Sequence, residues 1–211
     1  MPESPRSADR WVRMHRDTYD RMAVDYSRRI DGYAAADEAD RFVRLLRNGR
    51  SGEPTIVDAG CGPGWDSTLL RLAGARLIGL DISRRMLIEA KTLEVELLVQ
   101  GDLRKLPLRG ASADGLWCFA SLGHLPDPAA ADAMAEFRRV LRPSGLLYGV
   151  VRQGQGVREA AWDGKLPRYF NDYDAPRLHA LLTQHRFAVE ETNVWDSATG
   201  LPWLHTIARA T

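Results

Sequence analysis

The run Val57-Asp58-Ala59-Gly60-Cys61-Gly62-Pro63-Gly64 constrains this chain more than any other feature. It opens at the end of the apolar stretch Thr55-Ile56-Val57 and stops where a helical pattern begins at Trp65. A short, continuously apolar stretch has the composition of a strand buried on both faces, and such strands belong to parallel sheets covered by helices. The glycines let the backbone turn sharply and approach a ligand closely, while the following helix presents free N–H groups to a polar or anionic group. Strand, glycine turn and helix in this order point to a nucleotide-like ligand. The turn alone leaves open a tight connection with no ligand.

The remainder of the chain alternates. Apolar residues recur at helical spacing from Trp11 to about Arg29 and from Ala34 to Arg47, with Trp11, Met14, Thr18, Met22 and Ala23 on one side of the first helix. Further helices are expected over Trp65 to Ala73, Arg84 to Leu93, Ala129 to Leu141 and Pro176 to His185. Strands are expected at Thr55 to Val57, Arg76 to Leu80, Val95 to Val99, Ala113 to Phe119 and Gly145 to Val151, with a final pair at Phe187 to Trp195 and Trp203 to Ala210. Strands separated by helices through short loops give a doubly wound α/β domain. Its seven-stranded sheet is expected to be mostly parallel and Rossmann-like, with an antiparallel C-terminal hairpin at the edge. At 211 residues with 45% hydrophobic content, one core is expected and little length remains for a second domain. Residues 1–9 read as a flexible tail and 10–211 as a single domain, with N-terminal helices over 10–48 and a substrate-side insertion over 152–175.

Charge excludes less than it might. The formal net charge of +1 gives no general field for nucleic acid or an anionic membrane. Two cysteines, Cys61 and Cys118, cannot build a disulfide framework, and no apolar run is long enough to span a bilayer or act as a signal peptide. A reducing cytoplasm is the expected setting.

Three further strand ends point toward the glycine turn. The second strand ends Gly79-Leu80-Asp81, placing a two-oxygen acceptor where a ribose with two hydroxyls would sit. The third is followed by Gln100-Gly101-Asp102-Leu103, a second carboxylate at the same edge, suited to accept from an exocyclic adenine amine. The fourth runs into Cys118-Phe119-Ala120-Ser121-Leu122-Gly123-His124, delivering polar groups beside the first strand.

Read in order, VDAGCGPG, GLDIS, QGDLRKLPL, ADGLWCFASLGHLP and EFRRVLRPSGLLY resemble the successive motifs of class I S-adenosylmethionine-dependent methyltransferases of the type 11/25 kind, over roughly residues 15 to 150. The resemblance implies that Gly60, Gly62 and Gly64, with Cys61 among them, contact the methionine part of the donor, and that Asp58 orients this loop. It implies that Asp81 holds the ribose, that Ile82 and Met86 flank the adenine, that Asp102 accepts from its amine with Leu103 beside it, and that Ala120 or Ser121 touches the amino-acid end. Tyr19-Asp20, Ala23 and Tyr26 resemble a leader in which the second tyrosine reaches the donor's carboxylate; packing of Tyr26 on the core is the alternative. S-adenosylmethionine, leaving as S-adenosylhomocysteine, is the cofactor implied, with no metal.

A nicotinamide-dependent oxidoreductase would share the sheet, the turn and the acid after the second strand. Its G-x-G-x-x-G fingerprint wants glycine at position 65, which here is Trp65, and Pro63 removes one N–H from the turn. No G-x-x-x-x-G-K-S/T run supports phosphoryl transfer. Direct in-line displacement onto a small-molecule oxygen or nitrogen is expected, with methylation of a modified tRNA base, or a non-catalytic donor-binding protein, as alternatives. His124 is the candidate base, a loop-shaping role being the other reading. Substrate contacts are expected from Tyr19, Arg152, Trp162, Arg168 and Tyr169.

Overall fold

The computed structural model describes residues 5–29, 35–48, 52–95, 97–197 and 200–211. Two helices lead, α1 (Pro5–Arg29) and α2 (Ala36–Arg47). The parallel part follows as β1 (Thr55–Ala59), α3 (Trp65–Leu72), β2 (Arg76–Asp81), α4 (Arg84–Thr92), β3 (Leu98–Gln100), β4 (Ala113–Phe119), α5 (Asp127–Val140) and β5 (Leu141–Arg152). The chain then forms β6 (Gly156–Trp162), β7 (Leu166–Asp172), α6 (Ala175–Gln184), β8 (Phe187–Asp196) and β9 (Pro202–Ala210).

Seven strands make one sheet in the order β3-β2-β1-β4-β5-β9-β8, while β6 and β7 pair apart from it. β1 pairs in parallel with both β2 and β4, and β9 runs antiparallel to both β5 and β8. The doubly wound, mostly parallel sheet with an antiparallel edge pair is therefore the architecture that the alternation of the sequence implies. Every residue of β1 is buried, as is β4 from Ala113 to Cys118, because helices cover both faces. On one face Phe42, Val43 and Leu46 of α2 and Leu70 of α3 pack with Ile56, Trp117 and Tyr148. On the other, Ala133, Met134 and Phe137 of α5 and Leu178 and Leu182 of α6 pack with Val57, Leu116 and Leu147. Trp117 and Tyr148 lie face to face at 3.9 Å, with Phe42 at 5.5 Å and 5.9 Å from them. No described helix is long and apolar enough to cross a membrane.

Three elements differ in extent from expectation. Helix α1 starts at Pro5 rather than near Arg10, so much of the expected tail over 1–9 is helical. Its register is held by tertiary contacts that a polar stretch does not advertise: Ala8 is buried, and Asp9 meets Arg104 at 2.7 Å. Residues 1–4 and Ala34 lie outside the described residues. β3 is only Leu98–Gln100, because its pairing with β2 covers Gly79 to Asp81 alone. β5 begins at Leu141, directly where α5 ends.

The largest departure is the stretch 152–175, for which the sequence carries no strand signal. It contains an antiparallel ribbon joining β6 to β7 through Asp163, Gly164 and Lys165, the first two at φ of 49° and 68°. Lys165 N–H closes this turn on the Trp162 carbonyl at 3.0 Å. Two consecutive left-handed residues suit the right-handed twist of a hairpin, and Lys165 completes a three-residue connection between the paired Trp162 and Leu166. The hydrophobic alternation that usually marks a strand is hidden here because arginines occupy its inward face.

Phe42→Ala removes the ring that wedges Trp117 against Tyr148 and is expected to lower stability by about 3–5 kcal/mol. Urea unfolding measures this, and a loss below about 1 kcal/mol would mean the cluster is not a continuous core.

Candidate active site

The sheet order reverses between β1 and β4, so their following helices leave toward opposite faces and open a crevice at the carboxyl ends of the strands. A cavity of about 950 Å³ occupies that crevice. Gly60 turns the chain out of β1 at φ 86°, with its N–H and that of Cys61 both donating to the Leu80 carbonyl, at 2.7 and 2.9 Å. A Cβ on Gly60 would lie 2.1 Å from Ser121 Oγ, so glycine is what lets the ends of β1 and β4 approach. Gly62, in contrast, has nothing within 4 Å of where its Cβ would stand.

Gly60, Cys61 and Gly62 line the cavity, as do Asp81, Ile82 and Met86 from the second strand end and α4. Asp102, Leu103, Ala120 and Ser121 complete the floor, and Tyr26 reaches it from α1. The cavity lining does not include Asp58 or Gly64. Asp58 lies behind the loop and accepts from Ser67 Oγ of α3 at 2.5 Å, tying the strand to the helix. Gly64 precedes α3 and packs against Ala90 and Val95.

The acids of this edge have distinct surroundings. Asp81 accepts from the Gly62 N–H at 2.9 Å and from the Ser83 N–H at 2.8 Å, so the second strand end organises the first loop directly. Burial pushes its pKa up to about 6 despite those hydrogen bonds. Asp66 accepts from Trp117 Nε1 at 2.9 Å, and burial likewise raises it to about 6. Asp58 is raised well above the usual carboxylate range, first by burial and then by Asp66. Asp102 is gripped by Arg104 through Nε at 3.0 and 3.1 Å and Nη2 at 2.7 Å, and Arg104 bridges on to Asp9 of α1. Arg104 was not among the residues expected to matter, although it lies two positions after a predicted ligand. Both thiols are pushed up by burial, Cys118 to about 12, which leaves them as packing groups.

A second set of side chains closes the opposite wall. His124, in a short 3-10 turn over Leu122–His124, donates from Nδ1 to the Tyr169 carbonyl at 2.9 Å and accepts at Nε2 from the Tyr19 hydroxyl at 2.7 Å. Desolvation, reinforced by the nearby His15 ring, holds its pKa down at about 3. The imidazole is therefore neutral with both nitrogens engaged. Tyr26 lies between Trp65 and Trp162, with ring centroids at 5.7 and 5.5 Å, and the Trp162 indole donates to Asp25 at 2.9 Å.

Arg152, Trp162 and Arg168 line the cavity together with Tyr19, but Tyr169 does not. Alternation along the ribbon explains this: Arg158, Ala160 and Trp162 of β6 and Arg168 and Phe170 of β7 face inward. Tyr169, one position out of phase, stacks on Trp11 at 5.0 Å, and its backbone N–H donates to His15 Nε2 at 3.0 Å. Arg158 and Phe170 went unrecognised in the sequence; they face inward because three residues, 163–165, join the strands and pair Trp162 with Leu166 and Arg158 with Phe170.

The family described as methyltransferase domain matches residues 57–149. The uncharacterized 37.1 kDa protein in transposon TN4556 of Streptomyces fradiae is 34% identical over 67% of this chain and 43% of its own length. A malonyl-[acyl-carrier protein] O-methyltransferase of Yersinia pestis is 34% identical over 72% of this chain and 59% of its own. The chain thus spans about half the length of the curated relatives it matches. Among solved structures, 1,6-didemethyltoxoflavin-N1-methyltransferase of Burkholderia thailandensis superposes with a TM-score of 0.80 at 21% identity, covering 100% of this chain and 92% of that one. Magnesium protoporphyrin IX methyltransferase from Synechocystis PCC 6803 gives 0.71 at 21% identity, covering 95% and 97%.

Asp66→Asn keeps an acceptor for Trp117 Nε1 while removing a charge that burial disfavours. A folded pKa raised to about 6 means the folded state holds its proton longer than the unfolded chain, so stability falls as pH rises from about 4 to 6. The variant is expected to flatten that part of the stability curve and to match or exceed the parent at neutral pH. Urea midpoints across the range measure this, and an unchanged slope would show Asp66 to be readily ionised.

Proposed function

We propose that this chain is a class I S-adenosylmethionine-dependent methyltransferase that transfers the methyl group of S-adenosylmethionine to an oxygen or nitrogen of a small molecule. The observation that carries this reading is the convergence of Asp81 and Asp102, from separate strand ends, on the same cavity wall as the glycine loop. A cationic, ribose-bearing donor fits that wall. Gly62 leaves open space where a side chain would otherwise intrude, and Ile82, Met86 and Leu103 supply apolar surface for a purine. The names of the relatives and structural neighbours include an O-methyl and an N1-methyl transfer, and both acceptor atoms stay within the proposal.

When bound, the donor supplies an electrophilic methyl on a sulfonium, so catalysis consists mainly of alignment and exclusion of water. In this reading the Gly60–Gly62 backbone and Ser121 hold the amino-acid end, and Asp81 holds the ribose. Asp102, kept rigid by Arg104, faces the purine, and Tyr26, pinned by Trp65 and Trp162, closes over the donor. Tyr19 stands at the acceptor side, its hydroxyl aimed by His124. His124 is then a positioning residue for Tyr19 rather than a free base, since its Nε2 lone pair is already occupied.

Two measurements test this. Calorimetric titration is expected to show saturable binding of S-adenosylmethionine and none of NADH, with Asp81→Ala weakening the donor at least about tenfold, or about 1.4 kcal/mol. A cation favours ionised Asp81, so donor affinity is expected to rise with pH up to about 6 and then level off. Preference for NADH, or failure to bind the donor, would overturn the reading. Separately, ¹⁵N shifts of the His124 ring are expected to report a neutral imidazole from about pH 8 down to about pH 5. A titration midpoint near or above about 6.5 would return the general-base role to it.

A further inference from the structure

The charges lining the cavity are segregated. Asp66, Asp81 and Asp102 stand at the β1–β3 end, while Arg152 of β5, Arg158 of β6 and Arg168 of β7 stand at the ribbon end. Asp196, at the end of β8, is a further lining carboxylate. Arg29 also lines the cavity, but it is already paired with Asp25 and Asp163.

The other three arginines are under-compensated. Among the described residues the ion partner of Arg152 and Arg158 is Asp172, at 3.8 and 3.7 Å, and Arg168 has none. Those separations are too long for hydrogen bonds. Nε of Arg152, Arg158 and Arg168 and Oδ1 of Asp172 are all buried without a hydrogen-bond partner among the described residues. Two guanidinium groups thus share one distant carboxylate, and the third has none among the described residues. Burial and the proximity of Arg152 and Arg168 pull the Arg158 pKa below its usual value, as expected where like charges crowd.

Packing holds these groups in place. Arg158 lies over the Phe170 ring at 4.9 Å, and Arg168 over Trp162 and Phe170 at 5.3 and 5.5 Å. Guanidinium groups stacked on aromatic faces keep their N–H edges directed and lose little freedom when an anion arrives. Leaving several buried donors unpaired costs free energy that an incoming acceptor would recover.

We propose that the methyl acceptor is an organic oxyanion, a carboxylate or a phosphate ester on an apolar body, seated against Arg152, Arg158 and Arg168; this rests on the methyltransferase reading above. Trp162, Phe170 and Trp203 provide the apolar surface beside the charge. The acidic end receives the cationic donor and the basic end the anionic acceptor, so the two reactants sort themselves by sign.

The test titrates octanoate, octyl phosphate and octanamide into the protein, with and without saturating S-adenosylhomocysteine. Either anion is expected to bind at least about tenfold more tightly than the amide, the better of the two identifying the headgroup. The double variant Arg158→Gln/Arg168→Gln is expected to lose about tenfold in anion affinity while its affinity for S-adenosylhomocysteine stays within about twofold. Asp172→Asn, which removes the competing carboxylate, is expected to strengthen anion binding and remains informative should the double variant fold poorly. Equal binding of acid and amide, no binding of either anion, or a loss of S-adenosylhomocysteine affinity in the arginine variant would overturn the proposal, the last by assigning these arginines to the donor's own carboxylate. Failure of the unaltered protein to bind S-adenosylhomocysteine would instead overturn the methyltransferase reading, and the titrations made without it would still judge the anion site.

Discussion

The close approach of the β1 and β4 ends is the constraint on which the rest of the site depends. Parallel strands whose helices leave toward opposite faces necessarily part at their carboxyl ends, and the depth of the crevice is set by how near the two backbones come. Here the approach leaves no room for even one carbon on Gly60 against Ser121. The same loop is anchored by Asp81 through the Gly62 N–H, so three strand ends are locked into one arrangement. Buried Trp117 and Tyr148 beneath the sheet make that arrangement stiff.

Electrostatics then divide the crevice. Carboxylates that burial raises toward neutrality gain from an arriving cation, and arginines crowded around one carboxylate gain from an arriving anion. Between them Tyr19, His124 and the Tyr169 carbonyl form a hydrogen-bonded chain that joins α1, the turn after β4 and the ribbon. The chain fixes the relative position of the two halves. Within it, burial and the neighbouring His15 ring keep His124 neutral.

Much of the fold was legible because its signals are local. Thr55 to Val57, Ala113 to Phe119 and the intervening helices carry apolar periods that burial on both faces demands. The carboxylates Asp81 and Asp102 were legible because strand ends in such a sheet point at one crevice. Where the signal was not apolar it failed. The ribbon of β6 and β7 directs arginines inward, the first turns of α1 owe their register to Arg104, and Tyr169 differs from its neighbours only by phase.

Taken by itself, the sequence determined the doubly wound sheet, the glycine turn and the acids around it, since each follows from residue type, spacing and the geometry common to parallel strands. The tertiary structure alone decided that Asp58 faces a helix rather than the cavity, that His124 is saturated by Tyr19 and the Tyr169 carbonyl, and that Arg152 and Arg158 share Asp172 while Arg168 beside them has no ion partner among the described residues. The physical reason is that hydrogen bonding and charge compensation depend on which groups meet across long sequence separations, and no local pattern encodes that meeting.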